Sequence, residues 1–238
     1  MNINVHRIIS IMNQKGGTGK TTTALNLGVC LAEHQKRTLL IDLDPQANLT
    51  SGLGFDSRAT KLNICHVFES RAKNVSLPRL ATIWPFLELA PSSLDLASIE
   101  LESGGRKEDQ CLLKEAVDRI IDRYDYIIID APPSLGYLTQ CAMLVCQEIL
   151  TPVQMHVFAL KAIPQLLSTV ELFKELNSEL IVSGILCTMF DPRNNLSWII
   201  EDKIRELYEN IVFQTVIPMN IAVAESPTAG QPVVQYAP

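Results

Sequence analysis

The segment Lys15–Thr22 reads KGGTGKTT and stands at a predicted strand-to-helix junction. An apolar run, Arg7–Met12, precedes it and predicts a buried strand, and a helical pattern over Lys20–Glu33 begins within it. Glycines let the backbone curl so that several N–H groups point into one concavity. A helix that starts there adds its free N-terminal donors and the positive end of its dipole. The segment therefore predicts a loop that cradles phosphate groups.

Two lysines and a threonine give this loop its chemistry. Lys20 is placed to reach the β- and γ-phosphates of a nucleotide, and the Thr21 hydroxyl is placed to ligate Mg²⁺. The strict pattern GxxxxGK[ST] fails at its first position, Gln14, and a second lysine, Lys15, stands at the loop entrance. The alternative is an ordinary glycine-rich turn with solvated lysines, which the strand-to-helix context disfavours. The predicted nucleotide-binding residues are Lys15, Gly16, Gly17, Thr18, Gly19, Lys20, Thr21 and Thr22.

The rest of the chain alternates short apolar runs with helix-length segments. Further strands are predicted at Thr38–Leu43, Phe86–Ala90, Tyr126–Asp130, Ile149–Val153, Ile181–Met189 and Ile211–Ile217. Further helices are predicted near 108–123, 136–146, 156–176 and 196–209, and segment 50–80 is polar and irregular. Strands that are apolar on both faces are typical of a parallel sheet covered on both sides. We predict an α/β P-loop NTPase fold, with a mostly parallel twisted sheet and helices on both faces.

Composition narrows the class of protein. The 238 residues are 47% hydrophobic and 19% charged, which excludes wholesale disorder and suits one domain over 1–238. No apolar run approaches the ~18 residues of a spanning helix, and the first residues lack the layout of a signal peptide. Six cysteines without a CxxC pair indicate reduced thiols, so we expect a cytoplasmic protein. The net charge of −6 excludes a globally basic nucleic-acid binder.

Three carboxylates follow predicted strands at the same edge of the sheet as the loop. Asp42 and Asp44 lie in IDLDPQ, and Asp130 lies in IIIDAPP. A carboxylate in this position can hold a Mg²⁺-bound water or orient an attacking one. We expect Asp130 to act on the metal side, Asp44 to position the nucleophilic water, and Asp42 to be structural. The alternative is that these acids merely cap the following turns.

With these residues assembled, the chain resembles the ParA/Soj-type partition ATPases of the deviant Walker A group, which also includes the MinD-like ATPases. The blocks shared with the wider group are NQKGGTGKTTTALNLG at 13–28 and YDYIIIDAPPSLGYLT at 124–139. Three further blocks point to the partition branch: LLIDLDPQANLTSGLG at 39–54, TMFDPRNNLS at 188–197 and VIPMNIAVAESPTAGQPV at 216–233. The resemblance covers almost the whole chain.

The resemblance implies an ATP- and Mg²⁺-dependent homodimer in which nucleotide is sandwiched between two subunits. Lys15 would reach across to the partner's nucleotide, and Pro218 and Asn220 would lie near the adenine. A second cation there would neutralise charge that develops on the transferred phosphoryl group. Slow hydrolysis, stimulation by a ParB-like protein and DNA binding without sequence preference are also implied, with association with the nucleoid where DNA binding is retained.

The sequence departs from the family pattern where DNA contacts are expected. Met219 and Ala222 occupy two positions that usually hold arginine, and the sequence stops where a terminal helix should begin. No Lys or Arg follows Arg205. Either the chain is shorter than the natural protein, or this branch binds DNA weakly or through other residues. The remaining candidate DNA contacts are Arg193, Lys203 and Arg205.

The alternatives to a partition ATPase are a membrane-cycling ATPase, a regulatory switch and an iron–sulfur protein. A MinD-like membrane-cycling ATPase needs a basic amphipathic C-terminal helix, and none is visible in AGQPVVQYAP, so we expect no membrane partner. A regulatory nucleotide switch with little turnover stays open. Cys141 and Cys146 suggest ligands of an iron–sulfur cluster like that of related reductases. Their five-residue spacing on an apolar helix favours core packing instead.

Overall fold

An eight-stranded sheet forms the centre of the molecule in the computed structural model, which describes residues 6–69, 75–103 and 111–237. The strand order is β3-β4-β2-β5-β1-β6-β7-β8, and all neighbouring strands are parallel except β3 and β4. The strands are β1 Arg7–Ile11, β2 Thr38–Asp42, β3 Leu80–Ala81, β4 Leu87–Ala90, β5 Tyr126–Asp130, β6 Glu148–Gln154, β7 Ile181–Phe190 and β8 Val212–Pro218. The predicted α/β P-loop fold is confirmed.

Helices connect the strands within the described residues. They are α1 Lys20–Glu33, α2 Asn48–Gly52, α3 Cys65–Glu69, α4 Leu96–Ser103, α5 Leu112–Asp118, α6 Tyr137–Val145, α7 Ala159–Phe173, α8 Asn195–Tyr208, α9 Ile221–Glu225 and α10 Val233–Tyr236. None of these helices is both long and apolar enough to cross a membrane.

The layers follow from the alternation of side chains along the central strands. Successive residues of a strand point to opposite faces of a sheet. In β2, Leu39 belongs to the core on one face and Leu40 to the core on the other, and all five residues of the strand are buried. Ala24 and Val29 of α1 belong to the same core as Leu40, whereas α5 and α6 cover the core on the opposite face, which contains Leu39. Such double coverage explains why the strands read as continuous apolar runs.

Every predicted strand and long helix is present, with ends that differ by a few residues. The prediction for 108–123 was too long, since α5 covers Leu112–Asp118 and a short 3₁₀ turn follows at Ile121–Arg123. Residues 108–110 of that prediction lie outside the described residues. Strand β3 and the short helices α2, α3, α4, α9 and α10 were not predicted. Elements this short carry too few residues for a hydrophobic period to show.

The parallel registers bring the functional segments to one edge of the sheet. Ile11 at the end of β1 pairs with Asp130 at the end of β5, and Asp42 at the end of β2 pairs with the same residue. The loop after β1 therefore emerges beside both carboxylates. Ligands of open α/β sheets bind at this carboxyl edge.

Candidate functional site: a phosphate-binding loop

The loop between β1 and α1 is tied to β6 at its start. The Asn13 amide Nδ2 donates to the carbonyl of Pro152 at 2.7 Å, and Asn13 Oδ1 accepts from the Lys15 N–H at 2.9 Å. Farther along, the Thr188 hydroxyl of β7 donates to the carbonyl of Thr18 at 2.9 Å. Two neighbouring strands, β6 and β7, thus hold the loop at its start and near its middle.

Glycines give the loop its curvature and its open side. Gly17 and Gly19 have φ values of 71° and 88°, in the left-handed region that disfavours side chains. A Cβ atom built on Gly16, Gly17 or Gly19 would meet no atom within 4 Å among the described residues. The space beside these three glycines is therefore open, as a phosphate cradle requires.

Lys20 is the first residue of α1 and is only 7% exposed. Its Nζ atom donates to the carbonyl of Lys15 at 3.2 Å. Burial lowers the pKa of Lys20, and the nearby carboxylates of Asp130 and Asp44 act in the opposite direction. The ammonium group is thus held in the loop beside two acids, where it can bind the oxygens of a polyanion.

Asp130 ends β5 and is completely buried. Neither of its carboxylate oxygens has a hydrogen-bond partner among the described residues. Burial raises the pKa of Asp130 well above its ordinary value, and Asp42 and Asp44 raise it further. The Thr21 hydroxyl and the Lys20 ammonium group oppose this shift. An unpartnered buried carboxylate beside a threonine hydroxyl is a donor set that suits Mg²⁺ or its bound water.

Asp42 is also completely buried, but its oxygens are occupied. Its Oδ2 accepts from the Thr50 N–H at 2.9 Å and the Thr50 hydroxyl at 2.7 Å, and its Oδ1 accepts from the Asp44 N–H at 3.2 Å. Burial raises the pKa of Asp42 to about 7, and the bonds from Thr50 act against that rise. This environment fits the structural role that we expect for Asp42.

Asp44 borders the open space in front of the loop. Its Oδ1 accepts from the Gln46 N–H at 2.9 Å, and the residue is 8% exposed. Its other side-chain oxygen makes no hydrogen bond within the part of the chain that the structure describes. Asp44 therefore differs from Asp42 in having acceptor capacity at the edge of a cavity.

That cavity has a volume of about 560 Å³ and joins the loop to four other segments. The predicted site residues among its walls are Gly16, Gly17, Gly19, Lys20, Thr21, Thr22 and Asp44. The residues that sequence reasoning missed are Leu25, Gln46, Asn48, Ser51, Gly52, Pro133, Met189, Pro227 and Thr228. All of them lie within the sequence blocks that resemble the family, but no single residue type or spacing in those blocks marks them as lining a cavity. The positive φ of Met189, 52°, is a conformational signal that the sequence does not carry.

Several predicted site residues do not line this cavity. Pro218 ends β8, and the Asn220 side chain caps α9 by accepting from the Ala222 N–H at 2.8 Å. Lys15 lies to one side, where its Nζ donates to Gln154 Oε1 at 3.1 Å and stands 5.9 Å from the centre of the Phe158 ring. The contact of Pro218 and Asn220 with adenine stays a prediction.

The three candidate DNA-contacting residues each face a carboxylate. Arg193 binds Asp191 with Nε–Oδ1 at 3.0 Å, although its side chain is 85% exposed. Lys203 lies 2.7 Å from Glu206, and Arg205 pairs with Glu201. The pairs of Arg193 and Lys203 are exposed and exchange partners at little cost, whereas the Arg205 and Glu201 side chains are only 27% and 11% exposed. Arg193 and Lys203 are therefore accessible but partly neutralised, and Arg205 is less accessible.

Cys141 and Cys146 are buried and carry free thiols. Burial raises the pKa of each thiol to about 12. No group of three or more His, Cys, Asp or Glu side chains that could hold a metal ion occurs in the described ranges. Thiols held this way pack as small apolar groups.

The open loop with its buried ammonium group, on the carboxyl edge of a parallel sheet, places the chain in the class of P-loop nucleotide-binding ATPases. Residues 6–182 match a family model described as an AAA domain. The chain is 40% identical to the sporulation initiation inhibitor protein Soj of Bacillus subtilis over 233 residues, covering 98% of this chain and 92% of Soj. It is 39% identical to the chromosome partitioning protein ParA of Myxococcus xanthus, covering 98% and 82%. The chain belongs to the ParA/Soj family of partition ATPases.

A solved structure supports the same fold and the same cofactors. The cobyrinic acid a,c-diamide synthase of Mycobacterium smegmatis, solved with ADP and magnesium, has a TM-score of 0.83 and 30% identity, covering 95% of this chain and 93% of that one. The open glycine loop, buried Lys20 and unpartnered Asp130 fit such ligands. ATP and Mg²⁺ are the cofactors of this ATPase.

The burial of Asp130 predicts a cost in stability. The pKa of this carboxyl is raised on folding, so the unfolded chain loses the proton near pH 4 while the folded protein still holds it. The folded state then binds more protons, and stability falls as pH rises from about 4 towards the folded pKa. Asp130→Asn cannot ionise and should raise the free energy of unfolding at pH 8, without nucleotide, by roughly 1 kcal/mol or more.

Urea denaturation at several pH values checks this prediction. The advantage of Asp130→Asn should shrink towards pH 4. Asp202→Asn, at an exposed position on α8, is the control and should change stability by less than about 0.5 kcal/mol. A less stable Asp130→Asn protein at pH 8 would contradict the argument.

Proposed function

We propose that this partition ATPase works as a slow switch, in which bound ATP holds two protomers together and hydrolysis lets them separate. The observation that carries the proposal is the buried Asp130 carboxylate, which lies beside Lys20 and Thr21 without a hydrogen-bond partner among the described residues. An uncompensated buried carboxylate is costly, and a divalent cation brought by a nucleotide would offset that cost. The whole segment 1–238 would act as one ATPase domain.

Each residue of the loop has a proposed task. The main-chain N–H groups from Gly16 to Thr22 bind the phosphates, and Lys20 binds the β- and γ-phosphate oxygens. The Thr21 hydroxyl is a Mg²⁺ ligand, and Asp130 holds a water of the metal shell. When bound, Mg²⁺ neutralises charge on the phosphate oxygens. Asp44 positions the attacking water at the cavity wall by accepting a hydrogen bond from it, through the side-chain oxygen that does not bond to the Gln46 N–H.

Lys15 is proposed to serve the other protomer. Its Nζ atom bonds to Gln154 outside the cavity of its own chain, which supports a task away from that cavity. A cation supplied in trans would stabilise the transferred phosphoryl group only in the dimer, so that hydrolysis depends on assembly. Pro218 and Asn220 are proposed to contact the adenine.

The proposed partners follow from the names of the relatives, which act in chromosome partitioning. A ParB-like protein would stimulate the slow hydrolysis, and the ATP-bound dimer would bind DNA without sequence preference. Arg193, Lys203 and Arg205 would contribute phosphate contacts after they exchange their carboxylate partners. Association with the nucleoid would follow from that binding.

Replacing Asp44 tests the hydrolytic step. Asp44→Ala should still bind ATP and dimerise. Its rate of phosphate release should fall at least about 100-fold, because water positioning is lost. Phosphate release and light scattering with ATP measure the two properties. Asp202→Ala serves as the control and should hydrolyse at the normal rate. Normal turnover of Asp44→Ala would show that the water-positioning residue is wrongly assigned.

Replacing Lys15 tests the role in trans. Lys15→Ala should bind ATP as a monomer, because the second ammonium group no longer bridges the protomers. Calorimetry measures the binding, and light scattering with ATP measures the mass. Lys161→Ala, at an exposed position on α7, should dimerise as the unchanged protein does. Normal ATP-dependent dimers of Lys15→Ala would refute the role.

A salt titration tests the DNA contacts. With ATP present, Arg193→Ala should weaken binding to duplex DNA uniformly across sequences and reduce the salt slope by about 1. Mobility shift at increasing salt provides the measurement, and Arg58→Ala is the control on a distant loop. Absence of any shift of the unchanged protein at low salt with ATP would remove the proposed DNA contacts.

A further inference from the structure

A closed ring of buried hydrogen bonds includes the main-chain N–H and carbonyl of Asp44. Its members are Asp42, Thr50, Ser92 and Asp44, the first three with no exposed surface. The Thr50 hydroxyl donates to Asp42 Oδ2 at 2.7 Å and accepts from the Ser92 N–H at 3.0 Å. The Ser92 hydroxyl donates to the carbonyl of Asp44 at 2.6 Å. The Asp44 N–H donates to Asp42 Oδ1 at 3.2 Å and closes the ring.

The ring joins three separate segments of the fold. Asp42 ends β2, Thr50 lies in α2, and Ser92 follows β4. No bond of the ring involves the carboxylate of Asp44, so that group is left to the cavity while both main-chain polar atoms of the residue are held. This arrangement fixes where Asp44 stands and leaves its side chain available.

The loop after Asp44 needs such support. Ala47 has a φ of 53°, a left-handed conformation that is uncommon for a residue other than glycine. Its N–H donates to the carbonyl of Asp44 at 2.8 Å, and this oxygen also accepts from Ser92. A loop in this conformation persists where its surroundings over-determine it. The two bonds to one carbonyl provide that restraint.

The residue types match the task. Thr50 must donate to a carboxylate and accept from an N–H at the same time, which a hydroxyl does and an apolar side chain of the same shape does not. Ser92 supplies its N–H to Thr50 and its hydroxyl to Asp44, so it connects the two. Because the members share partners, loss of either hydroxyl should loosen the same loop.

We propose that Thr50 and Ser92 are positioning residues for hydrolysis, which act by holding Asp44 at the distance from the phosphate loop that water attack requires. The inference rests on the proposed role of Asp44. It differs from a purely structural role in its consequence, because small displacements of a catalytic group reduce the rate of the chemical step much more than they reduce substrate binding.

A threonine series tests the proposal. Thr50→Val should lower kcat about 10- to 100-fold and leave KM for ATP within about twofold, because the phosphate loop is untouched. Thr50→Ser keeps the hydroxyl and should restore kcat to within about threefold of the original value. Thr38→Val is the matched control, since Thr38 is a buried threonine at the other end of β2 whose hydroxyl bonds to the carbonyl of Lys36 at 2.9 Å. It should leave kcat unchanged.

Hydrogen exchange of the nucleotide-free protein gives a readout besides activity. Amides in 44–53 should exchange at least about tenfold faster in Thr50→Val and in Ser92→Ala, and at the original rate in Thr38→Val. Ser92→Ala removes only the bond to the main-chain carbonyl of Asp44. It provides the test if Thr50→Val fails to fold. The double variant should lose no more kcat than the more affected single variant, because both changes open one ring.

The outcomes separate this inference from the proposed function. Normal kcat in Thr50→Val, or failure of Thr50→Ser to restore it, overturns the positioning role. If Asp44→Ala turns over slowly while both hydroxyl variants are normal, only the positioning role is lost. If Asp44→Ala itself turns over normally, the assignment of Asp44 fails, whatever exchange rates the ring variants show.

Discussion

A completely buried carboxylate without a hydrogen-bond partner among the described residues is the constraint on which this structure depends. Asp130 can be buried at the end of β5 only because helices cover both faces of a parallel sheet. The same architecture places Lys20 and the open glycine loop next to it. Burial of such a carboxylate is costly, and in the proposed function a cation bound with its nucleotide would offset that cost. Ligand binding and protein stability would then be coupled through the Asp130 carboxylate.

Three acids at one sheet edge illustrate how surroundings assign chemistry. Asp42 is held by three N–H and O–H donors, Asp130 has no donor among the described residues, and the Asp44 carboxylate accepts one bond at the border of a cavity. The Asp42 carboxylate holds the backbone of the following loop, whereas the proposed roles of Asp130 and Asp44 are to bind the metal shell and to position water. Groups of one chemical type take different tasks when burial and hydrogen bonding differ.

The cations of the protein show the same dependence on neighbours. Lys20 is buried in the loop, Lys15 bonds to Gln154 outside the cavity, and Arg193 faces Asp191. Each has a partner within the single chain, and in the proposed function a ligand or a second molecule would take that partner's place. The exchange costs least at Arg193, since exposed ion pairs contribute little.

Contiguous patterns were enough to predict the sheet, the long helices and the phosphate loop, because a buried strand or a glycine turn depends on residues adjacent in the chain. The sequence predicts a structural role for Asp42 and water positioning for Asp44, but the pattern IDLD does not show which contacts make the two acids differ. Their difference arises from Thr50 of α2, whose N–H and hydroxyl donate to the Asp42 carboxylate, and from Ser92, which donates only to the main-chain carbonyl of Asp44 and leaves the Asp44 carboxylate open. Likewise, Pro227 and Thr228 join the cavity wall only through packing. Hydrogen-bond satisfaction and burial depend on neighbours in space, so they emerge when the chain has folded.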